Sequence, residues 1–535
     1  MTPNLISPAL LIQVIALSPL AAVAVFMGLI LLGNRRLETL EAWITVFFSA
    51  ISLLASVMLA TSYRSATGES GGIAVQPILG VVGVYVDALG IFMLLLVNLV
   101  VFAASFYVRP YLVHQRILQN DNPEISTTPF HFAFNLFHLS MALLPMVENL
   151  YILWLMLAIT TVASIYLVGY RRDKESMMAT ESYIFITICG MFIALLGTYF
   201  LKNALDEQST PMNWPILITS SFENNPILVN LSFLFILFGY GLKAALFPGQ
   251  SWLPDAHGES PFPISALLSG VLVKSSIYAI IRLSAITNHA LNDQGAFCGT
   301  LLVIYGLISL GLSAPLILGS LRFKRVLAYH TLLHVSWSVC GLGVGLLGTG
   351  PGSEIALMGA ILHLGTHAMT KTLMFLGYGS IQIGMRNLGQ SRELEIHGIS
   401  KTMPIHAVFL GLGGLALVGT PWFGIFISEL MILAGIVTKI IGSQPELNPS
   451  QMLLVVLLCV FMGSTYLIYT GLVHHLKEII LGLPIVKESG GTLPERNWLV
   501  LAFLLLLMIG MGTGILQIGK LDLFGLLREG ARWIL

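Results

Sequence analysis

The chain has 535 residues, of which 56% are hydrophobic and 10% are charged, and its formal net charge is zero. Water-soluble domains carry about 25% charged residues, and a soluble domain could not hide this much apolar surface from water. The composition therefore excludes a soluble enzyme or binding module and predicts a protein embedded in a lipid bilayer. A net charge of zero provides no long-range field that would favour nucleic acid as a partner.

Taken in chain order, the apolar stretches predict an all-α, polytopic membrane protein. A transmembrane helix needs about 20 mostly apolar residues, and we expect fourteen such helices. They lie near residues 7–32, 41–62, 82–107, 130–147, 150–170, 181–202, 226–247, 260–285, 297–319, 324–348, 354–382, 403–438, 451–475 and 497–518. The first is predicted to be a retained helix, because neither a preceding basic residue nor a small-residue cleavage signal accompanies it.

Basic residues divide the predicted loops into two groups. The odd-numbered loops hold Arg35, Arg36, Arg109, Arg116, Arg171, Arg172, Lys174, Arg322, Lys324, Arg325, Arg386, Arg392, Lys401, Lys477, Lys487 and Arg496. The even-numbered loops hold little beyond Arg64, Lys202 and Lys439. By the positive-inside rule, the odd loops are cytoplasmic and both termini are non-cytoplasmic.

No cofactor motif accompanies the apolar stretches. The sequence has no phosphate-binding glycine loop, no signature for flavin or nicotinamide, and no cysteine cluster for iron–sulfur. The four widely spaced cysteines, Cys189, Cys298, Cys340 and Cys459, are expected to be small buried hydrophobes. We therefore expect neither a resident cofactor nor a metal, and any redox chemistry would belong to partner subunits.

The C-terminal tail, residues 519–535, has apolar residues at helical spacing together with Lys520, Arg528 and Arg532. This pattern is compatible with a short helix at the membrane interface and equally with a simple ordered tail.

Ionisable residues recur inside the predicted membrane helices. Each costs roughly 2.5 to 3.5 kcal/mol at mid-membrane, so each is a functional hypothesis. They are Lys243, Lys274, His334, His363, His367, Lys371 and Glu429. Singly, a lysine could extend to the interface and a histidine could be a hydrogen-bonded core residue. Together, they predict a hydrated polar axis through the membrane.

The chemistry of this set suits proton movement. Histidine exchanges protons near neutral pH, a buried lysine can release and regain one, and intervening water would complete a relay. Two helices also carry signals for a break, Pro248 near Lys243 and Pro421 near Glu429, each with glycines nearby. Irregular backbone at membrane depth is tolerated only where protein or a water-filled cavity receives it. Such breaks in corresponding halves are typical of inverted-repeat transporters.

The residues that follow the Lys243 helix carry a family resemblance. The run Ser251-Trp-Leu-Pro-Asp-Ala-His-Gly-Glu-Ser-Pro-Phe-Pro-Ile-Ser-Ala-Leu-Leu-Ser269 resembles the antiporter-like subunits of respiratory complex I, multi-subunit sodium/proton antiporters and membrane-bound hydrogenases. Within that superfamily it looks most like component F of hydrogenase-4. Further matches are residues 86–92, 324–329, 363–375 and 421–430, and the resemblance covers roughly residues 80 to 440.

The resemblance implies both an architecture and residue roles. It implies two inverted five-helix repeats, helices 4–8 in residues 111–290 and helices 9–13 in residues 291–480. Helices 1–3 in residues 1–110 precede them and helix 14 with its tail in residues 481–535 follows, and helices 7 and 12 are broken. By the same resemblance, the implied proton relay consists of Lys243 as central carrier, Lys274, His334 as a bridge, His363, His367 and Lys371 of helix 11, and Glu429 near the exit.

One position departs from the family pattern. The family has a glutamate in helix 5 that pairs with the helix 7 lysine, and Ala158 stands in its place. Glu181 near the start of helix 6 is a candidate substitute. Asp255 and His257 of the Trp-Leu-Pro-Asp-Ala-His motif are further accessory candidates.

The sequence thus predicts an ion-translocating subunit, for protons or for sodium, within a complex related to complex I or a membrane-bound hydrogenase. Other membrane subunits and soluble redox subunits on the cytoplasmic side would be its partners, and the cell inner membrane its location. One alternative is a membrane subunit that energises another process, such as inorganic carbon uptake. Another, motivated by Ala158, is a structural membrane anchor with a degenerate channel.

Overall fold

The computed structural model is mostly helical. It describes residues 7–32, 38–66, 71–78, 80, 82–118, 127–291, 296–386, 396–441, 448–483, 497–513, 517–518 and 521–535. The helices are α1 (Pro8–Leu31), α2 (Glu38–Ala66), α3 (Ala88–Leu118), α4 (Thr128–Leu143), α5 (Leu150–Val168), α6 (Lys174–Ala204), α7 (Trp214–Leu217), α8 (Pro226–Lys243), α9 (Trp252–Glu259), α10 (Phe262–Leu267), α11 (Val273–Ala290), α12 (Ala296–Leu318), α13 (Phe323–Leu346), α14 (Pro351–Arg386), α15 (Pro404–Leu417), α16 (Gly424–Ile441), α17 (Pro449–Leu481), α18 (Trp498–Thr513) and α19 (Leu523–Ile534).

Short irregular elements complete the architecture. A 3-10 turn, Gly249–Ser251, precedes α9, and a π-helical turn, Leu268–Leu272, joins α10 to α11. The strands β1 (Gly72–Ile78) and β2 (Val82–Asp87) form an antiparallel hairpin, as do β3 (Gln517–Ile518) and β4 (Leu521–Asp522).

The lengths of the helices and their apolar surfaces identify a multi-pass membrane protein. Among the described residues, ten helical segments are long and apolar enough to cross a membrane. Large apolar side chains point outward from peripheral helices, for example Phe185 and Phe192 on α6 and Met462 on α17. Such a surface would be unfavourable in water but is covered by lipid. The prediction of a membrane-embedded, largely helical chain is confirmed.

The sequence prediction was wrong about the start of the third helix. Residues 82–87 form β2, not helix, and α3 begins at Ala88. Val82, Val84 and Val86 alternate along this segment, and β-branched residues at this spacing favour an extended strand. The Asp87 carboxylate then accepts a 2.8 Å hydrogen bond from the backbone N–H of Gly90 and so caps the first turn of α3. The chain is therefore not strictly all-α.

The cysteine prediction is only partly correct. Cys298 and Cys340 are buried and Cys189 is half-buried, but Cys459 is exposed on α17. The apolar sequence around Cys459 reflects a lipid-facing helix surface, and lipid-facing and core-facing residues are equally hydrophobic.

The C-terminal tail is a helix that packs against protein. Asp522 accepts a 2.8 Å hydrogen bond from the Gly525 N–H at the start of α19, and Leu523, Leu527 and Ile534 are buried. These side chains face α3, α11 and α14. Of the two possibilities left open by the sequence, the structure shows a helix whose apolar face is covered by the bundle.

A buried ion pair ties the tail helix to the centre of the chain. Arg282 on α11 donates to Asp87 through both terminal nitrogens, one contact at 2.7 Å, and donates to the Tyr278 hydroxyl at 2.9 Å. The guanidinium carbon lies 4.0 Å from the Trp214 ring centre and 4.4 Å from that of Trp533. A planar cation that contacts two neighbouring indole rings and a carboxylate joins β2, α7, α11 and α19.

We expect Arg282→Met to lower the free energy of unfolding by about 3–5 kcal/mol, because the change leaves the Asp87 carboxylate buried without its cation. The measurement is a denaturant or SDS titration of the purified chain in mixed micelles. The matched control is Arg528→Met, since Arg528 is exposed and its contact with Glu354 is a 3.5 Å surface ion pair, worth less than about 1 kcal/mol. Equal effects of the two substitutions would contradict the assignment of Arg282 as a structural clamp.

Candidate functional site

The predicted relay residues lie in the buried centre of the bundle, on α8, α11, α13, α14 and α16. Six of them have at most 1% of their surface exposed: Lys243, Lys274, His334, His363, His367 and Lys371. The seventh, Glu429, retains 13% side-chain exposure. The six buried side chains do not reach the outer surface of their helices, so extension to the interface does not explain them.

Lys243 lies where α8 ends. It is the last residue of the helix, and its ammonium nitrogen donates to the hydroxyl of Thr161 on α5. The Ser164 and Tyr183 hydroxyls lie 2.6 Å apart beside it. Ala158 is one helical turn before Thr161. A neutral hydroxyl and the negative end of the α8 dipole therefore contact the lysine, whereas the resemblance implies a carboxylate partner.

The accessory candidates occupy different environments. Glu181 is exposed on α6, and in the described part of the chain no ion pair joins it to the buried Lys243. Glu181 lies on the outward face of its helix, and its role as a substitute for the glutamate that the resemblance implies stays a prediction. Asp255 forms a half-exposed ion pair with Arg325 at 2.7 Å, whereas His257 is buried and stacks on Phe375 with ring centres 4.9 Å apart.

A lysine and a histidine meet at the π-helical turn. Lys274 Nζ lies 2.9 Å from His367 Nδ1 and also donates to the carbonyl oxygen of Ser269. Ser269 belongs to the π-helical turn, where the wider backbone spacing releases carbonyl groups, a feature found often at functional sites. The local irregularity of the helix therefore supplies an acceptor to a lysine that no carboxylate of the described residues contacts.

Two histidines and an acid form the next part of the site. His334 Nδ1 lies 3.0 Å from His363 Nε2 and 4.0 Å from Glu429 Oε1, and the His334 ring stacks on His367 with centres 4.6 Å apart. The Glu429 carboxylate lies against Gly419, whose φ is +71°. A side chain at position 419 would be strained and would meet the carboxylate, so a glycine is required there.

The outer ring nitrogens of His334 and His363, those that do not face the other histidine, also have hydrogen-bond partners. His334 Nε2 lies 3.1 Å from the carbonyl oxygen of Leu417, the last residue of α15. His363 Nδ1 lies 2.8 Å from Ser428 Oγ, which itself donates to the Ile425 carbonyl at 2.8 Å. The end of α15 thus provides an unpaired carbonyl to the histidine pair.

In the relay region, three buried imidazoles have ring nitrogens for which the described residues provide no partner. These are His367 Nε2 and both ring nitrogens of His257 and of His330. Lys371 lies among them, donating to the Leu327 carbonyl oxygen and 5.4 Å from the Phe375 ring centre. Buried polar atoms without protein partners are usually satisfied by ordered water, so this region is suited to hold water between ionisable groups.

Sequence reasoning missed several of these participants. Thr161 and Ser428 are short hydroxyl residues with no distinguishing composition, and only their position opposite a lysine or histidine gives them a role. His330 had a usable signal, because it precedes His334 by four residues and so shares its helix face. Its ring centre is 6.2 Å from that of His334.

A second buried polar network lies outside the predicted axis, between α2, α3 and α4. Glu41 is 2% exposed and accepts hydrogen bonds from threonine hydroxyls at the start of α4. Farther along, the Thr45 hydroxyl lies 2.9 Å from His131 Nδ1, and Asn98 Oδ1 lies 2.7 Å from His138 Nε2. These contacts link three helices in a region where hydrophobic contact alone gives little preference for protein over lipid.

We expect Thr161→Val to lower the free energy of unfolding by about 1–3 kcal/mol, because it removes the hydrogen-bond acceptor of a buried lysine. Thr160→Val is the matched control, since the Thr160 hydroxyl bonds only within its helix, to the Leu157 carbonyl at 2.6 Å. The measurement is an SDS titration of both variants in mixed micelles. Indistinguishable stabilities would show that Lys243 does not depend on Thr161.

Comparison with known proteins matches the centre of the chain to one family. The family described as NADH:quinone oxidoreductase/Mrp antiporter, transmembrane, matches residues 147–441. This range is more than half of the chain and contains all seven relay residues.

Two relatives illustrate the range of similarity. The chain is 29% identical over 413 residues to a protein named hydrogenase-4 component F homolog from Methylacidiphilum infernorum, covering 76% of this chain and 81% of that protein. It is 31% identical over 348 residues to hydrogenase-4 component B from Escherichia coli, covering 64% of this chain but only 49% of the relative.

Solved structures share the fold over nearly the whole chain. A chain of the membrane-bound sulfane sulfur reductase, an archaeal respiratory membrane complex, superposes with a TM-score of 0.76 at 21% identity, covering 98% of this chain and 97% of that one. A chain of the Mrp complex from Dietzia sp. gives 0.76 at 16% identity, with 97% of each chain covered. Respiratory complex I from Thermus thermophilus gives 0.72 at 19%, covering 97% and 99%. These superpositions establish the fold. Together with the match over residues 147–441, they place the chain in the NADH:quinone oxidoreductase/Mrp antiporter transmembrane family, as one of its antiporter-like membrane subunits.

Proposed function

We propose that the chain translocates protons along its buried Lys, His and Glu residues, as the ion-translocating membrane subunit of a complex related to complex I or a membrane-bound hydrogenase. The observation that carries the proposal is the hydrogen count around the histidine pair. Four contacts run in series from the Leu417 carbonyl through His334, His363 and Ser428 to the Ile425 carbonyl. Two neutral imidazoles and one hydroxyl supply only three hydrogens for them.

The missing hydrogen defines where a mobile proton can reside. If His334 donates to Leu417 and Ser428 donates to Ile425, then a hydrogen is needed both between the two rings and between His363 and Ser428. One additional proton satisfies every contact, and Glu429, 4.0 Å from His334 Nδ1, is the nearby counter-charge. Removal of that proton requires a hydroxyl or ring to reorient, which is the step expected of a proton relay.

The remaining groups extend the path on both sides of this pair. On one side the path continues through His367 toward the centre of the bundle. His367 stacks on His334 and lies 2.9 Å from Lys274. His330 and His257, with unpartnered ring nitrogens, flank Lys371 where water would be held. Glu429 is the member of the set with access to the surface.

A proton fits this path better than sodium. Sodium is a hard cation that favours oxygen ligands, whereas the groups in direct contact here are mainly imidazole and amine nitrogens. Nitrogen bases bind protons strongly, and protonated side chains among the three buried lysines of the axis would repel an alkali cation.

We further infer the finer architecture from the helix breaks. We propose fourteen membrane segments, with α8 and α9 as the halves of a broken helix 7 and α15 and α16 as those of helix 12. Helices 4–8 in residues 111–290 and helices 9–13 in residues 291–480 would be the two inverted repeats, flanked by residues 1–110 and 481–535. In support, α8 ends at Lys243 and α15 ends at Leu417, so each proposed repeat has one helix end at the axis.

We propose a location in the cell inner membrane with both termini non-cytoplasmic. Other membrane subunits would surround the chain, since the structural relatives are chains of multi-subunit complexes, and soluble redox subunits would bind on the cytoplasmic side. Support for the orientation comes from the basic residues of the odd loops. Of these, Arg171 and Arg322 both bind the buried Glu259 at the end of α9, at 3.0 and 2.9 Å. The basic residues that lie outside the described residues are Arg35, Arg36, Arg392, Lys487 and Arg496, together with the tail residue Lys520.

A second candidate is favoured by a specific observation at α5. Because Ala158 and Thr161 give Lys243 no carboxylate, the first repeat could be silent while the second still conducts. Complete silence of both would make the chain a structural anchor. The two repeats can be separated by mutation.

We expect Lys371→Ala and His363→Gln to reduce proton flux by at least about tenfold in proteoliposomes that contain the whole complex, because each removes a proton carrier. Flux is followed with a pH-sensitive dye under an imposed driving force. Lys401→Ala is the control, since Lys401 is exposed and outside the axis, and it should retain the wild-type rate.

Lys243→Ala in the same assay decides between the candidates. A tenfold loss assigns the first repeat to the path, and a wild-type rate together with loss in Lys371→Ala indicates a silent first repeat. Wild-type rates in all of the axis variants would rule out the relay.

Affinity purification of the tagged chain tests the partners. We expect hydrogenase-like or complex I-like membrane subunits and an iron–sulfur-containing soluble subunit, detected by mass spectrometry and iron content. A single soluble zinc protein as the main partner would instead support energised inorganic carbon uptake, and absence of any redox subunit would contradict the proposed complex.

A further inference from the structure

We propose that His334, His363 and Glu429 bind a divalent transition-metal ion, for which Zn²⁺ is the best match, and that the bound ion blocks the relay. The binding half of this proposal stands on the geometry of the three side chains. The blocking half rests on the proposed function, and the two halves are tested separately below.

The donor atoms converge on one point. One nitrogen of each histidine and one oxygen of Glu429 lie within 4.8 Å of one another, with His334 Nδ1 3.0 Å from His363 Nε2 and 4.0 Å from Glu429 Oε1. In a tetrahedral zinc site with bond lengths of 2.0–2.2 Å, donor atoms are about 3.3 Å apart. The largest separation, up to 4.8 Å, must therefore shorten by about 1.5 Å for the three side chains to become ligands.

The donor set selects the class of ion. Two imidazoles and one carboxylate suit zinc and related transition metals, whereas calcium and magnesium require mainly oxygen ligands. Three protein ligands also leave a fourth position for water, as in zinc sites that exchange ligands.

The outer contacts are those that a metal would require. When both inner nitrogens bind an ion, each outer nitrogen must carry its hydrogen and donate it. His334 Nε2 then donates to the Leu417 carbonyl at 3.1 Å, and His363 Nδ1 donates to Ser428 Oγ at 2.8 Å. Ser428 is free to accept because its own hydrogen is directed to the Ile425 carbonyl at 2.8 Å.

The same hydrogen count that leaves a place for a proton thus leaves a place for a metal. An ion between the two rings replaces the missing fourth hydrogen, and every contact of the series is satisfied with neutral rings. Its two charges would be partly balanced by Glu429, whose 13% side-chain exposure provides the approach. A bound ion would hold both inner nitrogens and so remove them from proton exchange.

Zinc binding is measured on the intact complex after treatment with a chelator, by competition with a fluorescent zinc indicator and by cryo-EM maps with and without ZnCl₂. We expect density between the three side chains and tight binding in the wild type. His363→Gln and Glu429→Gln should abolish this site, and Ser428→Ala should weaken it about 10–100-fold, because it orients a ligand from outside the coordination shell. His330→Gln, which changes a buried histidine on the same face of α13, should leave affinity unchanged.

The outcomes separate the two halves. Absence of density, or equal zinc affinity in the wild type and both ligand variants, overturns the site. Reversible inhibition of proton flux by ZnCl₂, relieved by a chelator, supports the block, while density at the site with unaltered flux overturns it. A complex that binds zinc there but shows no proton flux at any zinc concentration retains the metal site and contradicts the proposed function.

Discussion

The cost of an unpaired polar group in hydrocarbon governs how the buried axis is built. Such a group loses several kcal/mol unless it finds a partner, and among the described residues most of the axis side chains have no opposite charge in contact. Their partners are carbonyls and hydroxyls, and two of these carbonyls lie where helices are irregular. Leu417 at the end of α15 receives His334, and the π-helical turn at Ser269 receives Lys274. At these two points the irregular helix provides a carbonyl acceptor for the ionisable side chain, and the side chain provides a donor for that carbonyl.

This dependence explains why the two ends of the axis differ. On the α16 side, Glu429 lies 4.0 Å from His334 and provides a carboxyl group that can balance an added proton. On the α8 side, Lys243 has a threonine hydroxyl and a helix C-terminus, which provide partial charges only. Where the resemblance implies a carboxylate partner, the lysine still finds a hydrogen-bond acceptor one helical turn away from Ala158.

Sequence alone predicted the membrane class, most helix positions and the set of seven buried ionisable residues, because each leaves a strong local signal in an apolar background. It could not predict Thr161 or Ser428, since a hydroxyl acquires its role only from the helix packed opposite. It could not show that Glu181 faces outward, because the helix face of a residue near a helix end depends on tertiary packing. It also missed that residues 82–87 form a strand, where alternating valines mattered more than overall hydropathy.

For the histidine pair, the number of available hydrogens matters as much as the distances between the ring nitrogens and their partners. Three hydrogens are available for four contacts, so the cluster is complete only when an additional cation is present. A proton can enter and leave by reorientation of a hydroxyl, whereas a divalent ion would be held by three ligands at once. The property that makes the pair suitable for passing a proton, one unfilled position between two bases beside an acid, is the same property that makes it a potential metal site.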